Sequence, residues 1–69
     1  MKISARNVLS GKVIAIVRGP VTTEVTLEIA PGVQIVSTIT SSSAQSLNLA
    51  EGANAYAVIK ASSVMVGTD

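Results

Sequence analysis

The chain has 69 residues, five basic and four acidic, with a formal net charge of +1 and no cysteine or histidine. This composition excludes disulfide bonds, argues against a zinc site, and lacks the clustered lysines and arginines of a nucleic-acid-binding surface. Hydrophobic residues make up 48% of the chain, more than a domain of this size can bury alone, so we expect self-association.

Neither a membrane nor a secretory location is expected. No apolar run approaches the ~20 residues that span a bilayer. The N-terminal residues lack the apolar stretch and cleavage site of a signal peptide. We therefore expect a cytoplasmic protein with no membrane partner.

The first half of the chain predicts two strands. Residues 11–17 are apolar on both faces, so we expect one face to meet the core and the other a neighbouring subunit. Residues 18–20 form a turn. Residues 21–29 have a strict period of two, which is typical of a half-buried strand. One face carries Val21, Thr23, Val25, Leu27 and Ile29, and the other carries Thr22, Glu24, Thr26 and Glu28.

The second half predicts three more strands and one helix. Pro31 and Gly32 favour a type II turn before a strand at residues 33–40. Residues 41–47 are predicted as a short helix capped by Thr40 or Ser41, with Leu47 and Leu49 anchoring it to the core. After a turn at residues 51–52 come a strand at residues 53–61 and a last short strand at residues 63–66.

This order predicts an all-β fold. We expect a small five-stranded, OB-like Greek-key barrel with one short helix between strands 3 and 4. Residues 1–69 form a single domain without repeats or linkers.

Catalysis is poorly supported, and we expect a protein that is not an enzyme. Without histidine there is no default general base near neutral pH, and without cysteine there is no thiol nucleophile. Only Lys60 could activate a serine.

Oxyanion binding is better supported. A tetrahedral dianion requires hydrogen-bond donors and is repelled by acids. Residues 4–7, 40–43 and 60–63 carry donors and no acid. Each residue also has an ordinary interpretation: Arg6 as a surface ion-pair residue, Lys60 as a lysine whose stem packs while its head reaches water, and the hydroxyl residues as caps or turns.

The N-terminal stretch Ile3-Ser4-Ala5-Arg6-Asn7, followed by Leu9 and Gly11-Lys12-Val13, resembles the opening of the molbindins, which are small cytoplasmic molybdate-binding proteins. Residues 22–29, 47–52 and 57–65 resemble the rest of that family's domain, known as the Mop or TOBE-like domain. The resemblance implies an OB-like fold assembled as a homohexamer, a trimer of dimers. It also implies molybdate or tungstate bound between subunits, with no organic cofactor and no metal bound as a cation.

The resemblance also implies a set of site residues. Ser4 and Arg6 match ligand positions, with backbone donors near Ala5 and Asn7, and Thr40 and Ser43 match a hydroxyl pair. Lys60 matches a lysine at a strand end. The next position is often serine in the family but is Ala61 here, so its backbone N–H or the Ser62 hydroxyl would substitute. A possible second site lies in the turn at residues 19–23, with Gly19, Val21 and Thr22 as its residues.

Two other functions stay open at this point. A nucleic-acid-binding OB module would show stacking aromatics and a basic groove, whereas this chain has one tyrosine and a charge of +1. A ligand-free oligomerisation domain would show the same apolar faces, but would give no reason for Arg6 and Lys60 to converge.

Overall fold

The computed structural model describes all of residues 1–69 as a curled antiparallel sheet with one short helix. Its strands are β1 (Asn7–Arg18), β2 (Thr22–Ala30), β3 (Val33–Thr40) and β4 (Asn54–Ile59). Helix α1 (Ser41–Ser46) lies between β3 and β4, and a single 3-10 turn (Ala61–Ser63) follows β4. The helix is far too short to cross a membrane.

Strand β1 connects β4 to the rest of the sheet, because its first half pairs with β4 and its second half pairs with β2. The sheet order is β3-β2-β1-β4. The first half of β1 pairs with β4, from Asn7 opposite Ile59 to Lys12 opposite Asn54. The second half pairs with β2, and a bulge between Val13 and Ala15 shifts the register. A bulge bends its strand and increases the twist, which suits a strand shared between two neighbours.

The number of strands differs from the prediction. The sheet has four strands rather than five, and it forms an open half-barrel. The predicted fifth strand at residues 63–66 is wrong: Ser63 ends the 3-10 turn, and the following residues pair with nothing. A strand requires an edge to pair with, and this segment leaves the sheet at the end of β4 without meeting one.

The core is small and lies on the concave face of the sheet. Val13, Val25, Leu27 and Ala57 form its buried cluster. The alternation predicted for the second strand is confirmed within β2, where Thr23, Val25 and Leu27 are buried while Glu24 is exposed. It is wrong for Val21, which was predicted on the same face but precedes β2 and is 73% exposed. Only six residues of the whole chain are buried, so much of the apolar surface faces solvent in a single copy.

Two predictions about the apolar residues have mixed outcomes. On β1, Val13 is buried, whereas Ile14 and Val17 on its other side are exposed, so the core covers only one face. Leu49 packs against the core, but the anchoring role predicted for Leu47 is wrong. Leu47 is the C-terminal cap residue of α1, and its side chain is 65% exposed because the helix ends before turning it inward.

Hydroxyl groups fix the start of α1. Thr40 is the N-cap, as one of the two predicted alternatives, and its Oγ1 accepts a hydrogen bond from the Ser43 N–H at 3.1 Å. The Ser41 hydroxyl donates to the Gly19 carbonyl at 2.6 Å and lies 2.8 Å from the Thr23 hydroxyl. These contacts tie the helix to the turn between β1 and β2.

Candidate functional site

An open cleft lies at the end of the sheet where β1 begins and β4 ends. Its volume is about 540 Å³. The residues that line it are Ile3, Ser4, Ala5, Arg6, Val58, Lys60, Ala61 and Ser62. Two cations and two hydroxyls therefore share one cavity that contains no acidic side chain.

The pairing of β1 with β4 explains why these residues meet. Asn7 lies opposite Ile59 in an antiparallel register, so the chain before Asn7 and the chain after Ile59 leave the sheet side by side. The Asn7 Nδ2 donates to the Ile59 carbonyl at 3.3 Å, which reinforces this last pair. One residue beyond this pair, the same antiparallel register places Arg6 opposite Lys60.

The 3-10 turn shapes the second wall of the cleft. Lys60 is the extended residue that precedes the turn, with φ −62° and ψ 130°. The Ser63 N–H donates to the Lys60 carbonyl at 2.8 Å and closes the turn. The chain therefore bends directly after Lys60, and Ala61 and Ser62 line the cleft beside it.

The chemistry of this cleft suits an anion. Guanidinium, ammonium and hydroxyl groups are all donors, and charge-assisted hydrogen bonds are stronger than neutral ones. Arg6 and Lys60 are exposed, so water solvates both charges. An oxyanion placed between them would relieve the repulsion between two neighbouring positive charges.

Not every predicted site residue reaches this cleft. Six of them line it, namely Ser4, Ala5, Arg6, Lys60, Ala61 and Ser62. Asn7 does not line it, and its side-chain amide donates to the Ile59 carbonyl. Sequence reasoning missed Ile3 and Val58 as lining residues, which only the pairing of β1 with β4 could have indicated.

Thr40 and Ser43 lie at the opposite end of the sheet. Thr40 pairs with Thr22, and the neighbouring Thr23 faces Arg18 at the far end of β1. Twelve residues of strand separate the two ends of β1 by on the order of 30 Å. Within one chain, this hydroxyl pair and the cleft therefore cannot hold the same small ligand.

The hydroxyls of Thr40 and Ser43 belong to a local network. Their Oγ atoms are 2.6 Å apart, and Thr40 Oγ1 also accepts from the Ser42 hydroxyl at 3.3 Å. The predicted second-site residues are close by: the Gly19 N–H donates to the Thr22 carbonyl at 3.0 Å, and the Val21 carbonyl accepts from the Ser41 N–H at 2.8 Å. The two groups of residues thus form one polar region around the start of α1.

The structure shows no candidate site for a metal cation. The structure has no group of three or more histidine, cysteine, aspartate or glutamate side chains that could hold a metal ion.

The fold defines a small β domain with a curled antiparallel sheet, and comparison with known proteins gives its family. The TOBE domain family model matches residues 3–66, and the chain belongs to this family. The resemblance to the molbindins is thereby confirmed.

Curated relatives match the sequence of this chain over its whole length. A probable molybdenum-pterin-binding protein of Haemophilus influenzae is 49% identical over 69 residues, which cover 100% of both proteins. The molybdenum transport protein ModE of Herbaspirillum seropedicae is 51% identical over 69 residues. The chain spans 26% of the length of that second relative.

Solved structures have the same fold. MopII from Clostridium pasteurianum superimposes with a TM-score of 0.92 at 48% identity, over 97% of this chain and 100% of that one. The molybdate-bound form of ModG, a cytoplasmic molybdate-binding protein, gives a TM-score of 0.83 at 46% identity, over 88% of this chain and 43% of that one.

Proposed function

We propose that the protein binds molybdate, and also tungstate, between the subunits of a homohexamer built as a trimer of dimers. Its role is storage or homeostasis of molybdenum in the cytoplasm, and it is a binding protein rather than an enzyme. The observation that carries the proposal is the acid-free cleft that Arg6, Lys60, Ser4 and Ser62 line together. The names of its relatives support molybdenum as the cargo, and the cytoplasmic ModG supports the location.

The donor set fits a dianion that carries no proton at neutral pH. Such an ion accepts hydrogen bonds at every oxygen and donates none, and the lining of the cleft can donate without needing to accept. Ala61 offers no side-chain donor to the cleft. Ser62, the next lining residue, supplies the side-chain donor instead.

A site shared between subunits accounts for two features of a single copy. The cleft is open, and five of its six predicted residues are exposed to solvent. The hydroxyl pair of Thr40 and Ser43 lies at the other end of the sheet. When this end of one subunit packs over the cleft of another, the oxyanion is enclosed by donors from both.

The expected affinity follows from the number of contacts. A hydrogen bond to a charged group contributes about 1.5–3 kcal/mol, so on the order of four such bonds give micromolar binding before ordering costs. Sulfate is a smaller tetrahedron and would contact fewer donors in a rigid cavity. Phosphate is partly protonated at neutral pH and would bring an O–H group for which the acid-free cleft has no carboxylate acceptor.

The alternatives have less support. A nucleic-acid-binding module would need aromatic side chains for stacking, and Tyr56 is the only aromatic residue of the chain. A ligand-free oligomerisation domain gives no reason for two cations to share one cleft without an acid.

Isothermal titration of the native oligomer with molybdate, in a large excess of sulfate, tests the proposal. We expect saturable binding at a fixed ratio of molybdate to chain. Arg6→Ala and Lys60→Ala should each weaken binding by about 10- to 150-fold, which corresponds to one charged hydrogen bond.

The matched control is Lys12→Ala, which removes an exposed lysine in the middle of β1, outside the cleft. It should leave the affinity within a factor of about two, since a distant exposed charge is screened by salt. Light scattering verifies that each variant keeps its assembly. Unchanged molybdate affinity of an intact Arg6→Ala oligomer would sink the assignment of the site.

A further inference from the structure

The cleft has an apolar part that its set of donors does not explain. Four of its eight lining residues are hydrophobic, and two of them are large: Ile3 before β1 and Val58 near the end of β4. Their side chains are 53% and 42% exposed. Neither belongs to the buried core cluster or to the half-buried side chains packed against it, so core packing does not account for their place in the cleft.

Both large apolar side chains stand beside the charged ones. Val58 lies two residues before Lys60 in extended chain, so their side chains leave the backbone on the same face. Ile3 begins a run of four consecutive lining residues that ends at Arg6. An anion between the two cations would therefore meet donors on one part of its surface and hydrocarbon on another.

We propose that Ile3 and Val58 are specificity-determining residues, which favour molybdate over sulfate through the cost of removing water from the anion. The inference rests on the proposed function and concerns the same cleft. Anion oxygens that face hydrocarbon lose hydrogen bonds to water and gain none in return. This cost is larger for sulfate, because the hydration free energy of an ion of given charge scales inversely with its radius.

Such a wall acts differently from selection by size. In a cavity that selects by size, sulfate binds weakly because its oxygens reach fewer donors. Here the chemical nature of the wall decides, and threonine separates the two mechanisms because it has nearly the shape of valine but carries a hydroxyl group. A hydroxyl bonds to the anion or to a retained water, so it lowers the cost of desolvation without enlarging the cleft.

Competition titration of the native oligomer measures this discrimination. Molybdate is titrated at rising sulfate concentrations, with sodium chloride adjusted to hold the ionic strength constant, and the increase in the apparent molybdate Kd gives the Kd of sulfate. We expect Val58→Thr and Ile3→Thr each to lower the ratio of the sulfate Kd to the molybdate Kd by about 3- to 10-fold, because a modest difference in radius acts on a large desolvation penalty.

Two variants are needed because Val58 also lines the apolar cavity on the open side of the half-barrel, whereas Ile3 lines only the cleft. Light scattering verifies their assembly. The matched control is Val33→Thr, at a 48% exposed position on β3, the other outer strand of the sheet, and outside the cleft. It should keep the ratio within a factor of about two. The ratio of molybdate to tungstate affinity should be unchanged in every variant, since these two ions are nearly equal in size.

The outcomes separate this inference from the proposed function. An unchanged sulfate-to-molybdate ratio in an assembled Ile3→Thr or Val58→Thr oligomer would overturn the role of that residue while leaving molybdate binding established. An equal fall in the Val33→Thr control would overturn it as well. Loss of assembly in both cleft variants would assign the two side chains to a subunit contact and contradict the proposal. A wild-type oligomer that binds no molybdate would overturn the inference and the proposed function together.

Discussion

Gly11 allows β1 and β2 to approach closely, and its replacement by alanine should destabilise the protein. A Cβ atom at this position would lie 2.8 Å from the Glu28 carbonyl oxygen and 3.0 Å from the Ile29 Cγ2. The oxygen belongs to the backbone of the neighbouring strand, so no side-chain rotation can relieve the contact. The two strands would have to move apart next to the pair formed by Lys12 and Glu28.

The expected loss is about 1–2 kcal/mol. Overpacking of this kind costs roughly 1–3 kcal/mol, and the lower chain entropy of unfolded alanine returns about 0.5–1 kcal/mol. For a domain of this size, each kcal/mol changes Tm by about 4–8 °C, so Gly11→Ala should melt about 5–15 °C lower.

Thermal unfolding followed by circular dichroism measures this effect. The variants must be compared at equal protein concentration, because the Tm of an oligomer depends on concentration. Gly67→Ala is the control, since nothing lies within 4 Å of its Cβ position. Equal melting temperatures for Gly11→Ala and the wild type would refute the argument from close approach.

Three further changes test the core, the cleft and the helix cap. Val13→Ala, at a side chain only 1% exposed, should lower the free energy of unfolding by about 2–3 kcal/mol in urea titrations, whereas Val21→Ala, at a 73% exposed position, should change it little. Asn7→Asp should weaken molybdate binding more than Asn7→Ala, because both variants lose the donor to the Ile59 carbonyl but only the carboxylate also repels the anion; equal titration curves would contradict this. Thr40→Ala should cost about 1 kcal/mol of stability through the lost cap, and Thr40→Ser should retain it; equal melting temperatures for the two variants would argue against the cap.

Local patterns predicted the individual elements well. The alternation around Val25 and Leu27 predicted which face of β2 is buried, because side chains on a strand point to opposite faces in turn. Pro31 and Gly32 predicted the turn before β3, and Gly32 has the positive φ, 76°, that a type II turn requires. A hydroxyl cap at Thr40 or Ser41 was also predicted, since a hydroxyl before a short helix satisfies a free N–H group, and the structure uses Thr40.

Features that depend on distant partners were predicted less well. Residues 64–66 have the composition of a strand, but a strand forms only where it pairs with an edge, and this segment pairs with no strand of its own chain. Leu47 was expected in the core, but helix α1 ends at Ser46 and leaves this side chain exposed.

The sequence by itself determined the types of group available for the site: an acid-free set of donors near both ends of the chain, in an order that resembles a known family. Only the tertiary structure decided which of them meet. The pairing of Asn7 with Ile59 brings Arg6 and Lys60 into one cleft, and the length of β1 keeps Thr40 away from it. Register between strands far apart in the chain arises from packing of the whole sheet, and no local pattern specifies it.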